Sequence, residues 1–271
     1  MSSGRADRGW QAFDEEVARW RDAGRDVELW WRDDDAADAS PALDRLLDLQ
    51  RAANVPLALA VVPARATPAL AERLAGAERL AGVPAIDVLQ HGYAHVDHAL
   101  PPDKKCELGP ERPAMLVLGE LGTGWMALER LFAGRALPVP LPVLVPPWNR
   151  IAPALVPALP EIGFTGLSTF AARRRAEPVK GLRQINTHVD LVDWKDRRNF
   201  VGHDAAVAAL VGSLRYSRSE TREPVGLLSH HLAMDEGAWD FLMSFWGRAT
   251  TKPGVKIRSA RDLFASREAR V

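Results

Sequence analysis

The sequence predicts an α/β fold: a distorted or incomplete TIM-type (β/α)7 barrel, one domain over residues 1–271, with residues 1–24 as an N-terminal helical extension. Three observations predict it. Short apolar runs alternate with helical patterns about seven times, which implies a parallel sheet with helices outside it. The run Leu57 to Val62 is apolar throughout, as expected of a strand buried on both faces. The polar clusters follow directly after the runs, at the C-terminal rim where such folds carry function. A doubly wound open sheet is the alternative. No shift in composition marks a domain boundary.

Taken in order, Trp10 to Ala23 reads as an amphipathic helix with Phe13, Val17 and Trp20 on one face. Val27 to Trp31 is a strand that runs into Arg32-Asp33-Asp34-Asp35. Ser40 as N-cap and Pro41 at the first position open a helix carrying Leu43, Leu46, Leu47 and Leu49. Leu57 to Val62 is the next strand, and Thr67-Pro68 starts a helix ending near Gly76. Ala85 to Gln90 is a strand, followed by His91 and His95. Residues 99–110 form a loop. Glu111 to Phe132 is helical, but Gly119, Gly122 and Gly124 predict two helices or a kinked one. The proline-rich stretch Pro138 to Pro147 encloses a short strand, Val143 to Val145. Ala152 to Glu161 reads as a helix. Strands Phe164 to Thr169 and Leu182 to Val192 flank a loop with Arg173-Arg174-Arg175, taken as solvated. Helix His203 to Ser217, strand Val225 to Leu228 and helix Glu236 to Arg248 follow. Val255 to Ile257 and Ser259 to Ala265 make a last strand and helix.

Composition excludes several classes. Lys+Arg and Asp+Glu balance at 35 each, which argues against whole-surface attraction to nucleic acid or anionic lipid. No stretch approaches the roughly 18 apolar residues of a membrane span. Met1 to Trp20 is charged and lacks the apolar core of a secretory signal, so a cytoplasmic location is expected. The single cysteine, Cys106, forms no intrachain disulfide and reads as an inert thiol. Nine tryptophans against two tyrosines suit either a sugar platform or core filling.

The chemistry centres on His91 and His95. A strand tip followed by one helical turn puts both imidazoles on one side, where two nitrogens reach one ion. Asp33, Asp34 and Asp35 end an earlier apolar run; three adjacent carboxylates are costly in a buried setting unless a cation compensates. His230 and His231 end a late run, and neighbours on a strand point to opposite faces, so only one of them faces the site.

These residues resemble the polysaccharide deacetylase family (carbohydrate esterase family four), as a divergent bacterial member. The family's Thr-Phe-Asp-Asp-Gly is matched by Arg32-Asp33-Asp34-Asp35-Ala36, and its His-Ser/Thr-x-x-His by His91-Gly92-Tyr93-Ala94-His95. Its arginine-x-Pro-Tyr/Phe motif appears as Val145-Pro146-Pro147-Trp148. Asp190-Leu191-Val192-Asp193-Trp194 matches Asp-x-x-Asp-Trp, and Leu228-Ser229-His230 matches Leu-x-His. The motifs keep the family's order across residues 29–231. Val145 replaces the arginine that orients the family's base, and Arg150 and Arg32 are the candidates to stand in for it. Gly92 replaces the small hydroxyl residue, and Ala36 the glycine.

The resemblance implies a metal-dependent hydrolase that removes an N-acetyl group, or cleaves a related C–N amide, from a carbohydrate-like substrate. Asp35, His91 and His95 are then the metal ligands, with Asp33-Asp34 the alternative frame for the acidic pair. The ion expected is zinc, with cobalt or nickel as alternatives. Asp34 is the expected base, His230 or His231 the acid, and Asp193 the partner of that histidine. Trp148, Pro147, Asn149 and Trp194 are expected to contact substrate. A soluble glycan precursor, a sugar nucleotide or an intracellular amide is the expected partner, with no nucleic acid and no membrane span. Two rival readings are a catalytically inactive glycan-binding barrel, supported by Val145, and a metal-independent amidase relative.

Overall fold

The first helix, α1 (Ser3–Asp22), starts before the predicted Trp10 and buries Phe13, Val17 and Trp20. The structure, a computed structural model, describes residues 3–78, 86–134, 140–195 and 198–265. Ala85 of the predicted third strand and Pro138 of the proline-rich stretch lie outside these, as do residues 1–2 and 266–271 of the predicted domain.

β1 (Val27–Ala36) outlasts its apolar run, because the acidic residues that follow stay in the strand. α2 (Pro41–Ala53) opens as its cap predicts, with Ser40 Oγ accepting from the Leu43 N–H at 3.1 Å. β2 (Leu57–Val61), α3 (Pro68–Glu78) and β3 (Ile86–His91) follow. A single helix, α4 (Ala114–Phe132), stands where two or a kinked one were predicted. Gly124 serves packing rather than interruption: a Cβ there would lie 2.8 Å from Gln90 Nε2 and 3.0 Å from Pro63 Cγ.

After β4 (Val143–Val145) the predicted helix Ala152 to Glu161 is absent. Short 3-10 turns, Val156–Ala158 and Pro160–Ile162, take its place. Pro153, Pro157 and Pro160 each lack the N–H that an α-helix needs, and their spacing leaves no uninterrupted turn. β5 (Gly166–Leu167) is short, and the predicted strand 182–192 divides into β6 (Arg183–Gln184) and β7 (Thr187–Asp190). The last elements are α5 (His203–Tyr216), β8 (Val225–Ser229), α6 (Glu236–Thr251), β9 (Val255–Ile257) and α7 (Ala260–Phe264). No described helix is long and apolar enough to cross a membrane.

All pairings between these strands are parallel, in the order β6-β5-β4-β3-β2-β1-β8-β7, with β9 added to β1. The two ends of that order belong to one stretch of chain, 183–190. Its first part pairs with β5 and its second with β8. Between them the Ile185 and Thr187 N–H groups donate to Leu167 O at 3.1 Å and Thr169 O at 3.0 Å. The curled sheet therefore meets itself as a distorted (β/α)7 barrel, and the open doubly wound alternative is excluded.

The pleat sorts the strands' side chains between two of the three cores among the described residues. Trp30, Ala58, Ala60, Leu89, Val145 and Ile185 point inward and pack with Ala260, Leu263 and Phe264 of α7. Leu29, Trp31, Leu57, Leu59 and Val61 point outward, under the helices. Alternation along β1 thus sends Trp30, Arg32 and Asp34 to the interior and Trp31 and Asp33 to the outer layer. The basic loop is not wholly solvated: the Arg173 guanidinium donates to Gln184 O, with its Nε 3.9 Å from the buried carboxylate of Glu223.

Candidate metal centre

Asp35 breaks the alternation of β1. Between Asp33 and Ala36 the register with β2 shifts by a bulge, and Asp35 takes the left-handed φ of +73°. Asp tolerates that region better than most residues. The twist turns its carboxylate toward β3. His91, the last residue of β3, has Nε2 3.1 Å from Asp35 Oδ1, and His95 Nε2 lies 3.1 Å from the same oxygen. Ligand atoms of Asp35, His91 and His95 all fall within 4.8 Å of one another.

No helical turn brings the two histidines together, contrary to the prediction. Gly92 and His95 have φ of +57° and +56°, and the chain between them wraps around Glu107. That buried carboxylate accepts from the Tyr93 N–H at 3.0 Å and the Ala94 N–H at 2.7 Å. A Cβ on residue 92 would lie 2.0 Å from Glu107 Oε2 and 2.5 Å from Pro147, so only glycine fits where the family has a hydroxyl residue. Glu107 escaped sequence reasoning; a lone carboxylate in a polar loop carries no local signal.

The donor set suits a divalent cation: one carboxylate and two imidazoles, with His91 fixed in the right tautomer. Its Nδ1 donates to Val145 O at 3.0 Å, because a carbonyl only accepts, which leaves the Nε2 lone pair facing Asp35. Burial pushes the Asp35 carboxyl up, but the adjoining imidazoles of His91 and His95 outweigh it and hold the group far below the usual carboxylate range. Burial pushes the His91 imidazole down, and the charges of Asp34 and Asp35 lift it above its ordinary value.

Asp34 sits beside this trio, gripped by Arg32: Nε to Oδ1 is 2.8 Å and Nη2 to Oδ2 is 3.0 Å. Both residues are buried. Ser168 Oγ and Asn149 Oδ1 each accept from the guanidinium at 2.6 Å. Of the two candidates for the missing arginine, Arg32 takes the place, whereas Arg150 turns outward and donates to Lys105 O at 2.7 Å. Asn149, half-buried, thus supports Arg32. Pro147 is buried, behind Gly92.

Strand alternation separates the late histidines. His230 faces the site, with Nε2 4.0 Å from Asp34 Oδ2 and Nδ1 3.9 Å from Asp190 Oδ1. His231 points to the outer layer, where its Nδ1 pairs with Asp33 Oδ1 at 2.5 Å. Asp33 also accepts from Ser229 Oγ at 2.6 Å. Both His231 as the acid and the Asp33-Asp34 frame are thus set aside. Asp193 does not reach His230 either; it accepts from the Lys195 N–H at 2.9 Å and closes its own turn. Asp190 stands there instead, its carboxyl pushed up by burial. Trp194 donates to Asp190 Oδ2 at 2.8 Å and lies edge-on to His230, ring centroids 4.7 Å apart. Trp148 packs on His95 at 4.4 Å.

No family model matches the sequence, and no curated protein matches it. Solved structures do. A Mycobacterium smegmatis protein described as a polysaccharide deacetylase is 15% identical, with a TM-score of 0.60 over 91% of this chain and 92% of that one. The peptidoglycan deacetylase PdaC from Bacillus subtilis is 15% identical, with a TM-score of 0.53 over 91% and 93%. A family 4 acetyl xylan esterase from Clostridium thermocellum, in complex with cobalt, is 14% identical, with a TM-score of 0.50 over 88% and 90%. The chain has the polysaccharide deacetylase fold.

Proposed function

We propose that this protein is a metal-dependent hydrolase that removes an N-acetyl group, or cleaves a related C–N amide, from a carbohydrate-like substrate. One observation carries the reading: Asp35, His91 and His95 converge within 4.8 Å on the rim where Arg32 holds Asp34 and His230 faces inward. The structural neighbours, deacetylases and an esterase by name, support it.

Asp35, His91 and His95 would hold the ion. Nitrogen and oxygen donors suit zinc first, and cobalt or nickel next. When bound, a divalent ion supplies Lewis acidity that lowers the pKa of water towards about 7 and polarises an amide carbonyl. Asp34 accepts the proton of the attacking water, its carboxylate kept in place by the Arg32 fork. His230 donates a proton to the departing amine nitrogen as the C–N bond breaks. Asp190, 3.9 Å from His230 Nδ1, positions that histidine. Trp148 and Trp194 wall the site on either side and exclude water.

The inactive-barrel reading drew on Val145 in the arginine's slot, and Arg32 removes that support. The metal-independent reading needs a lost ligand, whereas both histidines are in place. The test is to load the protein with zinc, cobalt or nickel and follow acetate release from N-acetylglucosamine oligomers. Stoichiometric metal with turnover is expected in the wild type. His91→Ala should lose both, and Asp34→Asn should lose turnover alone. Metal without turnover on any amide would favour a binding protein. Activity that survives His91→Ala without metal would sink the ligand assignment.

A further inference from the structure

Helix α4 is apolar all the way round. From Ala114 to Leu128 only Glu120 and Thr123 carry a charge or a hydroxyl. A surface helix ordinarily sets charged residues opposite its buried stripe. α2 does so, with Asp44, Arg45, Asp48 and Arg51 exposed. In α4 the buried stripe is Val117, Leu121, Leu128 and Phe132. Opposite it stand Met115, Gly119, Gly122 and Met126, at the i, i+4, i+7, i+11 spacing of one helix face. Met115 is 82% exposed and Met126 48%. A single unbroken helix joins the four, so they form one strip about 16 Å long.

The two glycines of the strip have no duty inside the chain. A Cβ at Gly119 or Gly122 would meet nothing within 4 Å, unlike one at Gly124. Glycine in mid-helix weakens the helix relative to alanine. What it offers in return is room for another backbone to approach closely.

The strip also reads the same from both ends. Its midpoint falls between Glu120 and Leu121. Gly119 and Gly122 flank that point equally, and Met115 and Met126 stand equally farther out. Exposed Glu111, before the helix, and exposed Arg130, in its last turn, are again equidistant and opposite in charge. Such a face is complementary to itself under a two-fold axis, where each contact is made twice. Lipid is a poorer occupant. α4 is not long and apolar enough to cross a membrane. Its opposite face packs into the protein instead of carrying the basic residues of a helix that lies on lipid.

We propose that α4 is the contact between two copies of this chain, packed antiparallel with Met115 on Met126, Gly119 over Gly122 and Glu111 towards Arg130. The contact lies on the outer layer and does not depend on the reaction proposed above. Sedimentation velocity of the full chain over about a hundredfold dilution tests it. A dimer that dissociates on dilution is expected. Gly119→Leu and Gly122→Leu put bulk where the backbones meet, and each should weaken the dimer roughly tenfold or more. Leucine is a good helix former and both positions are open, so melting of the dilute monomer should hold or rise. With Cys106→Ser as the background, Met115→Cys together with Met126→Cys should give a disulfide between copies under mild oxidant, and neither alone should. A monomer at every concentration would overturn the proposal. So would a dimer that neither leucine weakens, or a cross-link through Met115→Cys alone. Monomeric protein that co-sediments with phosphatidylglycerol vesicles, and loses this with Met115→Glu, would give the strip to lipid and overturn it too.

Discussion

Arg32 and Asp34 face each other from positions two apart on a single strand, joined by a two-pronged contact of 2.8 and 3.0 Å. The pleat makes this possible, since residues two apart share a face. The same strand therefore supplies the proposed base, its clamp and, one residue on, a proposed metal ligand.

Lysine should not replace this clamp. A point charge cannot grip both carboxylate oxygens, so Arg32→Lys should keep the fold and lower kcat for acetate release about 10- to 100-fold. Arg32→Met leaves Asp34 buried without a counter-charge and should cost about 3–5 kcal/mol of stability. Steady-state kinetics and chemical denaturation check the two outcomes. Unchanged kcat in Arg32→Lys would remove Arg32 from its positioning role.

A bound ion should stabilise the fold. At a free zinc concentration about 100 times its Kd, stability should rise by about 2.7 kcal/mol and fall back on chelation. His91→Ala and His95→Ala should each abolish the rise, read as the shift in Tm with added zinc. A rise that survives either substitution places the ion elsewhere.

The Glu107 carboxylate should govern metal affinity without touching the ion. Glu107→Gln loses charge-assisted acceptance from the amides beside His95 and should weaken zinc binding about 10- to 100-fold, measured by competition with a chromophoric chelator. Restoring the family's hydroxyl with Gly92→Ser should be destabilising by about 1–3 kcal/mol, because the new Cβ meets Glu107 and Pro147 and the backbone is left-handed there.

His231 and Asp33 should make stability depend on pH. Burial pushes the His231 imidazole down, and the charge and hydrogen bond of Asp33 push it up by more, so it ends above 6.5. A raised folded value means that this stabilisation is complete below about pH 6.5 and is lost as pH rises through the elevated value. Wild type should therefore exceed His231→Gln by about 3 kcal/mol at about pH 6, with the gap narrowing in alkali. Denaturation at several pH values reads this, and a gap that widens with pH would contradict it.

Much of this architecture was readable from residue order. Leu57 to Val61 and Val225 to Leu228 lie buried on both faces, so their apolar runs admit little but a strand. Ser40-Pro41 marked its helix because the cap is a local hydrogen bond. Ala152 to Glu161 misled because each proline, taken alone, suits a first helical turn, and only their succession forbids a helix. The candidate metal trio was legible in residue types, yet its geometry rests on the φ of Asp35 and on Glu107, neither of which spacing encodes. Asp190 and Asp193 share one motif, and only the course of the chain after β7 decides which of them meets His230. Arg32 stood in plain sight beside the aspartates. Its role depends on a pleat that holds residues 32 and 34 on one side, and on Asn149 arriving from a distant loop.

Helix α7 stoppers the end of the barrel away from the candidate metal centre. Phe264 and Leu263 sit among the inward side chains, and the Arg261 amide donates to Asp87 Oδ2 at 2.8 Å at the foot of β3. Among the described residues α7 fills that end, so the proposed site opens at the opposite rim, beside Trp148 and Trp194. On the proposed reaction, acetate and the freed amine would depart in sequence through that rim, and whichever lingered would block the next arrival.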